Sequence, residues 1–523
     1  MQQPRNRVLA SGLLVVAGSL LSSGCSADTP PAPPSPVAVR AKPLTGGELY
    51  LAHCAGCHGE KGDGNGLAAR FLNPRPRDFS EAQFRLVSTK NNIPLDADLE
   101  MVVRQGMPGS AMMPFGHLPD AEIKALVGEV RRLLRSGQEQ RLRKQLADSG
   151  EEVSNEDLAK TVDSIVRPGD PIPIPAGLPA ATKESIARGK VLYLDTKLGC
   201  VSCHGETGKG DGVQEQKNSD GMPTRPRDFT RGIFKGGRDV KQMYLRVRRG
   251  MPGSPMPSAD FLSDQQVGDL VNFILSLSRT EATERVSHAR RELLGRRVER
   301  LPDEAFAGGW AAAKAVPVVV TPLWWRDQPD PELRVQALHD GKALAVRLTW
   351  RDEFANDRVT RPDDFEDMAA VQLYKGQPEP FLGMGGVNQG IDLWLWRASW
   401  QGRGREPSSL LDEYPFDEPL YRQLTKGKEK GLPDFNTARA AGNLNARPDG
   451  KASASALVAK GLGSTTLRPV ASQRVTSKAG WKNGEWAVTL RRTLAVGAGE
   501  GVSLAAGEGC SIAFALWFGE RHD

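Results

Sequence analysis

At 523 residues the chain exceeds what one hydrophobic core serves, so roughly three or four folded units with connectors are expected. Its 69 Lys+Arg nearly cancel 63 Asp+Glu, leaving a net charge of +6 that forces no basic face and gives a nucleic-acid role no support. All ten Trp lie beyond Arg300, so the C-terminal part is built differently from the rest.

The first residues have the form of an export signal: Arg5 and Arg7, an apolar stretch from Val8 to Leu21, then small residues up to Cys25. That stretch is too short for a spanning helix. Leu21-Ser22-Ser23-Gly24-Cys25 resembles the lipobox of bacterial lipoproteins, in which the Cys is diacylated and becomes the mature N-terminus, with Ser22 where Leu is usual. The expectation is an exported chain on the periplasmic side, held to the membrane by lipid on Cys25; ordinary signal cleavage is the alternative. Residues 26–43, rich in Pro, then form an extended tether, because such chain has no core to bury.

An internal repeat follows. Gly46-Gly47-Glu48-Leu49-Tyr50 matches Gly189-Lys190-Val191-Leu192-Tyr193, and Cys54-Ala55-Gly56-Cys57-His58 matches Cys200-Val201-Ser202-Cys203-His204. Arg75-Pro76-Arg77-Asp78-Phe79 recurs as Arg225-Pro226-Arg227-Asp228-Phe229, and Gly106-Met107-Pro108-Gly109-Ser110 as Gly250-Met251-Pro252-Gly253-Ser254. Each copy closes with an amphipathic helix: Ile123, Leu126, Val127, Val130 and Leu134 in the first, Val267, Leu270, Val271 and Ile274 in the second, the latter opened by a Ser263/Gln266 capping box. The expected units are 44–137 and 183–280. Residues 138–182 read as a charged, then Pro-rich spacer with one short helix, and 281–300 as a charged linker.

Cys-x-x-Cys places two thiols on adjacent turns, where both can add to haem vinyl groups, and the following His is then delivered under the iron. The spacing therefore points to a covalent haem c on Cys54 and Cys57 with His58 as iron ligand, and to another on Cys200 and Cys203 with His204. A zinc knuckle uses the same spacing, but neither copy has a second Cys or His pair at ligand distance. Of six Cys, only Cys510 remains outside these roles and Cys25.

A helix before Cys-x-x-Cys-His, a Gly- and Pro-rich wrap, a Met-Pro turn and a closing helix resembles class I cytochromes c over the whole length of each copy. The resemblance implies two all-α domains whose sixth iron ligand is a Met, closing a low-spin site that moves electrons. In the second copy that is Met256. The first copy is read as one residue longer, and Met113 is chosen because the family's ligand directly precedes Pro; Met112, at equal offset from Gly109, is the alternative. Met107 and Met251 read as packing side chains, and His53 and His117, which lack counterparts in the second copy, as surface or supporting His. Arg75, Arg77, Arg225 and Arg227 either approach haem propionates or belong to a rigid turn with an Arg-Asp pair and an anchoring Phe.

From Leu301 the apolar pattern alternates: Leu344, Val346, Leu348, Trp350; Ile391, Leu393, Leu395; Trp486, Val488, Leu490; Ile512, Phe514, Leu516. Period two over separated runs predicts an antiparallel β-sandwich over 301–523, interrupted by a polar insert from Arg403 to Ala452. Leu348-Thr349-Trp350-Arg351-Asp352, Phe365 to Leu373, Gly383-Met384-Gly385 and Asp392 to Ala398 resemble the haem b-binding γ subunits of ethylbenzene dehydrogenase and its relatives among periplasmic molybdenum enzymes, including dimethylsulfide dehydrogenase and chlorate reductase. In that family a Met and a Lys hold haem b. Met384 matches the Met; the Lys, sought after the last strand, is missing there, and His522 is the nearest replacement by position. Cys510 reads as a buried, inert thiol.

These features together predict a multidomain, extracytoplasmic electron carrier with two haem c and one haem b, serving a redox protein or molybdoenzyme partner and catalysing nothing itself. A dihaem peroxidase-like enzyme is the first alternative, disfavoured by a Met in both copies. A sandwich binding carbohydrate through Trp394, Trp396 and Trp400 is the second, against packing as their plain role.

Overall fold

The computed structural model describes residues 44–219, 221–278, 291–324, 326, 331–359, 363–376, 379–386, 390–400 and 454–523. The export signal, Cys25, the tether and the polar insert lie outside the described residues.

In the first unit Thr45 and Glu48 cap helix α1 (Gly46–His53) reciprocally, and α2 (Ala55–His58), α3 (Asp96–Gln105) and α4 (Asp120–Ser149) follow. Leu49 and Tyr50 on α1 pack against Leu126, Val127, Val130 and Leu134 on α4, and burying each such aliphatic side chain contributes ~1.5–3 kcal/mol. The crossing is close enough that a Cβ on Gly46 would strike the Ala125 carbonyl. Gly189 meets the Asp269 carbonyl in the same way in the second unit, so the repeated Gly marks where two helix backbones touch.

Helix α4 runs past the expected end at 137, because residues 138–149 are mostly straight-chain helix formers with no Gly or Pro until Gly150, which takes φ 70°. Helix α5 (Asn155–Val166) folds back on it, burying Leu158 and Val162 and pairing Asp163 with Arg135 at 2.9 Å. The Pro-rich stretch beyond is no free spacer either. Lys90 N donates to Asp170 O at 3.0 Å and Ile172 N to Ser88 O at 2.7 Å, while Ile172, Ile174 and Leu178 pack on the second core. It is a strap across both units, legible only in the isolated apolar residues between its prolines.

The second unit repeats the first with α6 (Lys183–Leu194), α7 (Cys200–His204), α8 (Val240–Arg249) and α9 (Asp264–Ser276), the last opened by the expected Ser263/Gln266 capping box. It adds a two-residue ladder, β1 (Gln216–Lys217) with β2 (Pro223–Thr224), so this unit is helical but not purely so.

The C-terminal region is β-rich. In chain order it comprises β3 (Gly295–Arg297), β4 (Val316–Val319), β5 (Glu332–His339), β6 (Ala343–Arg351), β7 (Met368–Tyr374), β8 (Ile391–Arg397), β9 (Ala454–Ala459), β10 (Thr466–Leu467), β11 (Thr476–Trp481), β12 (Glu485–Thr493) and β13 (Ser511–Trp517). One sheet has the order β11-β12-β6-β5-β3 with β4 also on β5; the other is β10-β9-β8-β7-β13. Among the described residues every ladder of this region is antiparallel except the short β3 with β5, which begins this region inside the stretch expected to be linker. Val346, Leu348 and Trp350 from one sheet and Val371, Leu373, Trp394 and Trp396 from the other form one core. Trp394 and Trp396 are fully buried, which removes them from any exposed carbohydrate face; Trp396 packs edge-on to Trp486 at 5.0 Å.

Candidate functional site

Each Cys-x-x-Cys-His segment forms one short helical turn. His58 N donates to Cys54 O at 2.9 Å and Cys57 N to the same carbonyl at 3.1 Å, so both thiols and the imidazole leave one side of the turn. Burial, with the neighbouring thiol second, pushes Cys54 up to about 12, and burial alone takes Cys57 to about 11.

His58 Nδ1 donates to the Arg77 carbonyl at 3.0 Å, which leaves Nε2 with a free lone pair in the form an iron ligand needs. Burial lowers the His58 pKa, and it brings His204 down to about 4. Both imidazoles are thus neutral. His204 feels the Arg227 backbone as His58 feels that of Arg77, although its Nδ1 closes no hydrogen bond in range. Phe79 stacks on His58 at 4.8 Å and Phe229 on His204 at 4.4 Å. The Phe of the repeated motif is therefore a back wall for the His. Its Asp caps a 3-10 turn, accepting from Ser80 N in one copy and Thr230 N in the other, and Asp78 pairs with Arg141 rather than with an Arg of its own motif.

The Met turns settle a question of register. Met107 N donates to Met112 O at 2.9 Å, and Met251 N to Met256 O at 3.1 Å. Phe115 N reaches Val103 O as Ala259 N reaches Val247 O, so the two turns have equal length and the expected extra residue in the first does not exist. Met112 holds the place of Met256, while Met113 holds that of Pro257. Choosing Met113 weighted adjacency to Pro over the constant offset from Gly109. Of the His set aside, His53 lies in the first core with its ring 5.6 Å from Phe115, and His117 Nε2 lies 3.9 Å from a Glu379 carboxylate oxygen in the C-terminal region.

Met384 sits in the β7–β8 connection at φ 73°, a left-handed conformation a side chain adopts only under constraint. Its carbonyl accepts from Gly461 N at 2.8 Å, and its sulfur lies 3.2 Å from Thr465 Oγ1. Because Ile391 on β8 pairs with Ala459 on β9, the next residue, Lys460, emerges at the same end of the sheet. Its stem runs beside Gly390, where a Cβ would lie 3.4 Å from Lys460 Cγ. A Lys thus accompanies Met384 after all, two strands on rather than after the last strand; the long insert between β8 and β9 hides the pairing in the sequence. His522 does not join them. It packs edge-on to Phe365 at 5.1 Å, beyond the Met368–Trp517 end of β7 and β13, whereas Met384 lies beyond the opposite end, ~20 Å away at the usual rise per strand residue.

The first unit meets this turn directly. A Cβ on Gly56, between the two Cys, would lie 3.0 Å from the ring of Phe381, three residues before Met384. Asn73 N also donates to Leu323 O at 3.0 Å.

A third group of residues was not anticipated. Asp352, Asp367 and Glu520 bring carboxylate oxygens within 4.8 Å of one another. Asp367 accepts from Trp486 Nε1 at 2.9 Å, Asn356 N at 2.8 Å and Gly519 N at 2.9 Å, while one oxygen of Asp352 has no partner. Burial first, and the charge of Asp367 second, push Asp352 up to about 8, so it carries a proton at neutral pH. With its folded value raised above the ordinary carboxylate range, its stabilising contribution is full below the unfolded value and is lost as pH rises through about 8. The stability of the C-terminal region should therefore fall as pH rises from about 4 to about 8, by at most ~1.4 kcal/mol per pH unit for one proton, and level off above that range; Asp352→Asn should flatten the profile, and a wild-type profile flat between those values would refute the assignment.

Comparison with known proteins agrees with this division of the chain. Residues 186–278 match the family Cytochrome c, residues 41–128 match Cytochrome C oxidase, cbb3-type, subunit III, and residues 307–523 match Ethylbenzene dehydrogenase. The chain joins two cytochrome c domains to an ethylbenzene dehydrogenase-family domain. Similar proteins include the one named heme subunit ORF7 of respiratory nitrate reductase from Haloferax mediterranei, 24% identical over 43% of this chain and 63% of its own length. Chlorate reductase subunit gamma from Ideonella dechloratans is 28% identical over 37% of this chain and 58% of its own. The chain thus spans less than two thirds of either relative. A chain of the reducing HAO-like protein complex of Kuenenia stuttgartiensis is 32% identical, with 45% of this chain and 96% of that one covered and a TM-score of 0.37. The cytochrome c domains correspond to the two repeats, and Met384 and Lys460 both fall in the ethylbenzene dehydrogenase-family domain.

Proposed function

We propose that this chain is a three-haem electron carrier that passes electrons to or from a partner redox enzyme of the molybdenum class and carries out no substrate chemistry of its own. Cys54 and Cys57, and Cys200 and Cys203, attach haem c; His58 with Met112 and His204 with Met256 ligate the irons. Met384 and Lys460 hold a haem b at the end of what is read as a β-sandwich. Haem supplies a one-electron couple, and ligation by His and Met closes the iron to substrates and raises its potential.

The observation that carries this reading is the repeated site: both cytochrome c domains have a neutral, half-buried His backed by a Phe ring and a Met turn of the same length. The docking of Gly56 on Phe381 gives the order, with the first cytochrome c domain between the haem b site and the second domain. A peroxidase-like enzyme needs an iron open to peroxide. Reduced wild-type protein should therefore leave both haem c irons free of carbon monoxide; stoichiometric binding at both would overturn the carrier reading.

The same reading places the chain on the periplasmic side, anchored through lipid on Cys25. Cys25→Ala should move the protein from the membrane to the soluble fraction of cells; unchanged fractionation would rule out this anchor.

A further inference from the structure

We propose that Phe381 is the bridge through which the first cytochrome c domain and the C-terminal domain exchange an electron, its ring packed on Gly56 inside the Cys54–Cys57 turn. The inference rests on the three-haem reading and adds to it the residues that couple two of the haems.

The contact is built from both sides. Phe381, half-buried, belongs to the same turn as Met384: Gly385 N donates to Phe381 O at 2.9 Å, and Met384 N to Leu382 O at 3.0 Å. That turn has no slack, because a Cβ on Gly383 would come 2.5 Å from the Phe381 ring. On the other side the ring lies over Gly56, where a Cβ would meet its Cε1 at 3.0 Å and its Cδ1 and Cζ at 3.1 Å. Glycine lets a ring sit this close to the backbone. The second copy has Ser202 at the same position, its hydroxyl donating to Gly199 O at 3.0 Å, so the Cys-x-x-Cys-His turn itself does not require glycine there. The approach of Phe381 accounts for Gly56; the attachment motif does not.

Two further contacts hold the domains in register around the ring. Glu379, two residues before Phe381, lies 3.9 Å from His117 Nε2 and accepts from Ser511 Oγ on β13, and Asn73 N donates to Leu323 O at 3.0 Å. The first domain thus contributes its attachment turn, its wrap and the stretch after its Met turn, and the C-terminal domain is fixed against it at three points.

A packed path therefore joins the proposed ligand of one iron to the attachment of another. It runs from the Met384 thioether along the turn to the Phe381 ring, crosses one van der Waals contact to Gly56, and reaches the Cys57 sulfur one residue on. Electron tunnelling falls off exponentially with distance, and faster across a gap than through bonds and packed atoms, so a ring filling this junction speeds equilibration between the two haems. The exchange is of one electron: one iron is oxidised as the other is reduced, and no bond is made or broken.

The test uses the full-length protein with all three haems bound and follows re-equilibration between the b-type and c-type absorption bands after a fast partial reduction. Gly56→Ser, which the second copy shows the turn accepts and which leaves the C-terminal domain unaltered, should push the ring off the turn and slow the exchange severalfold, with haem content and midpoint potentials unchanged. Phe381→Leu should do the same by removing the ring, and if it loses haem b, Gly56→Ser decides alone. A wild-type rate in either variant with all haems retained would overturn the bridge. So would slower exchange accompanied by a shifted haem b potential, which would make Phe381 only a prop for Met384. A wild type that takes up no haem b would instead strike at the carrier reading itself, so the two failures are distinguishable.

Discussion

Met112→Ala should open the iron of the first cytochrome c domain, and Met113→Ala should leave it closed. The two residues differ by one place in a turn whose backbone is pinned at both ends. Met107 N holds Met112 O, and Phe115 N holds Val103 O, as in the second copy, where Met256 alone is available. Met112→Ala removes the thioether that would close the iron of the first domain's haem, so its potential should fall and the reduced protein should bind about one equivalent of carbon monoxide, the number expected for one open iron. In Met113→Ala the spectrum and potential should remain close to wild type. The reverse outcome would mean that the loop slides by one residue when haem is present, and that adjacency to Pro outweighs the hydrogen-bonded register.

Replacing either Met384 or Lys460 should nearly abolish the b-type spectrum while leaving both haem c intact. The Met384 backbone is held in a left-handed conformation by contacts with Gly461 and Leu382, so its side chain is fixed from the protein side before any cofactor arrives. Lys460 starts from the adjacent strand end with its stem along Gly390. His522→Ala should not affect haem b, because the β7 and β13 strands separate it from Met384. Loss of haem b in His522→Ala together with its retention in Lys460→Ala would reverse the assignment.

The repeat, the attachment motifs and the closing helices were legible in the sequence because each is written in a local code: fixed spacing, a cap, or a helical period. Phe79 and Phe229 were visible as anchors, but not as the walls of His58 and His204, since that contact closes a loop of about twenty residues whose path no local rule predicts. Lys460 was missed for the same reason at larger scale. Its closeness to Met384 depends on β8 pairing with β9 across the insert, and strand pairing over such a distance leaves no trace in either strand's own alternation. The domain seam was half seen: the motif offered Arg77 and Arg227 as propionate partners or turn residues, but their reach to the other domain's Met turn exists only once the two copies dock. The Pro-rich strap went unread because composition speaks for flexibility in a free chain and is silent when a few apolar residues find a core.

The most direct measurement is a pyridine haemochrome assay on the exported full-length protein, which counts the two haem types separately. The carrier account predicts two haem c and one haem b per chain, with the haem c lost one at a time in Cys54→Ala and Cys200→Ala. Fewer than two haem c, or folded protein that takes up no haem b, would contradict it.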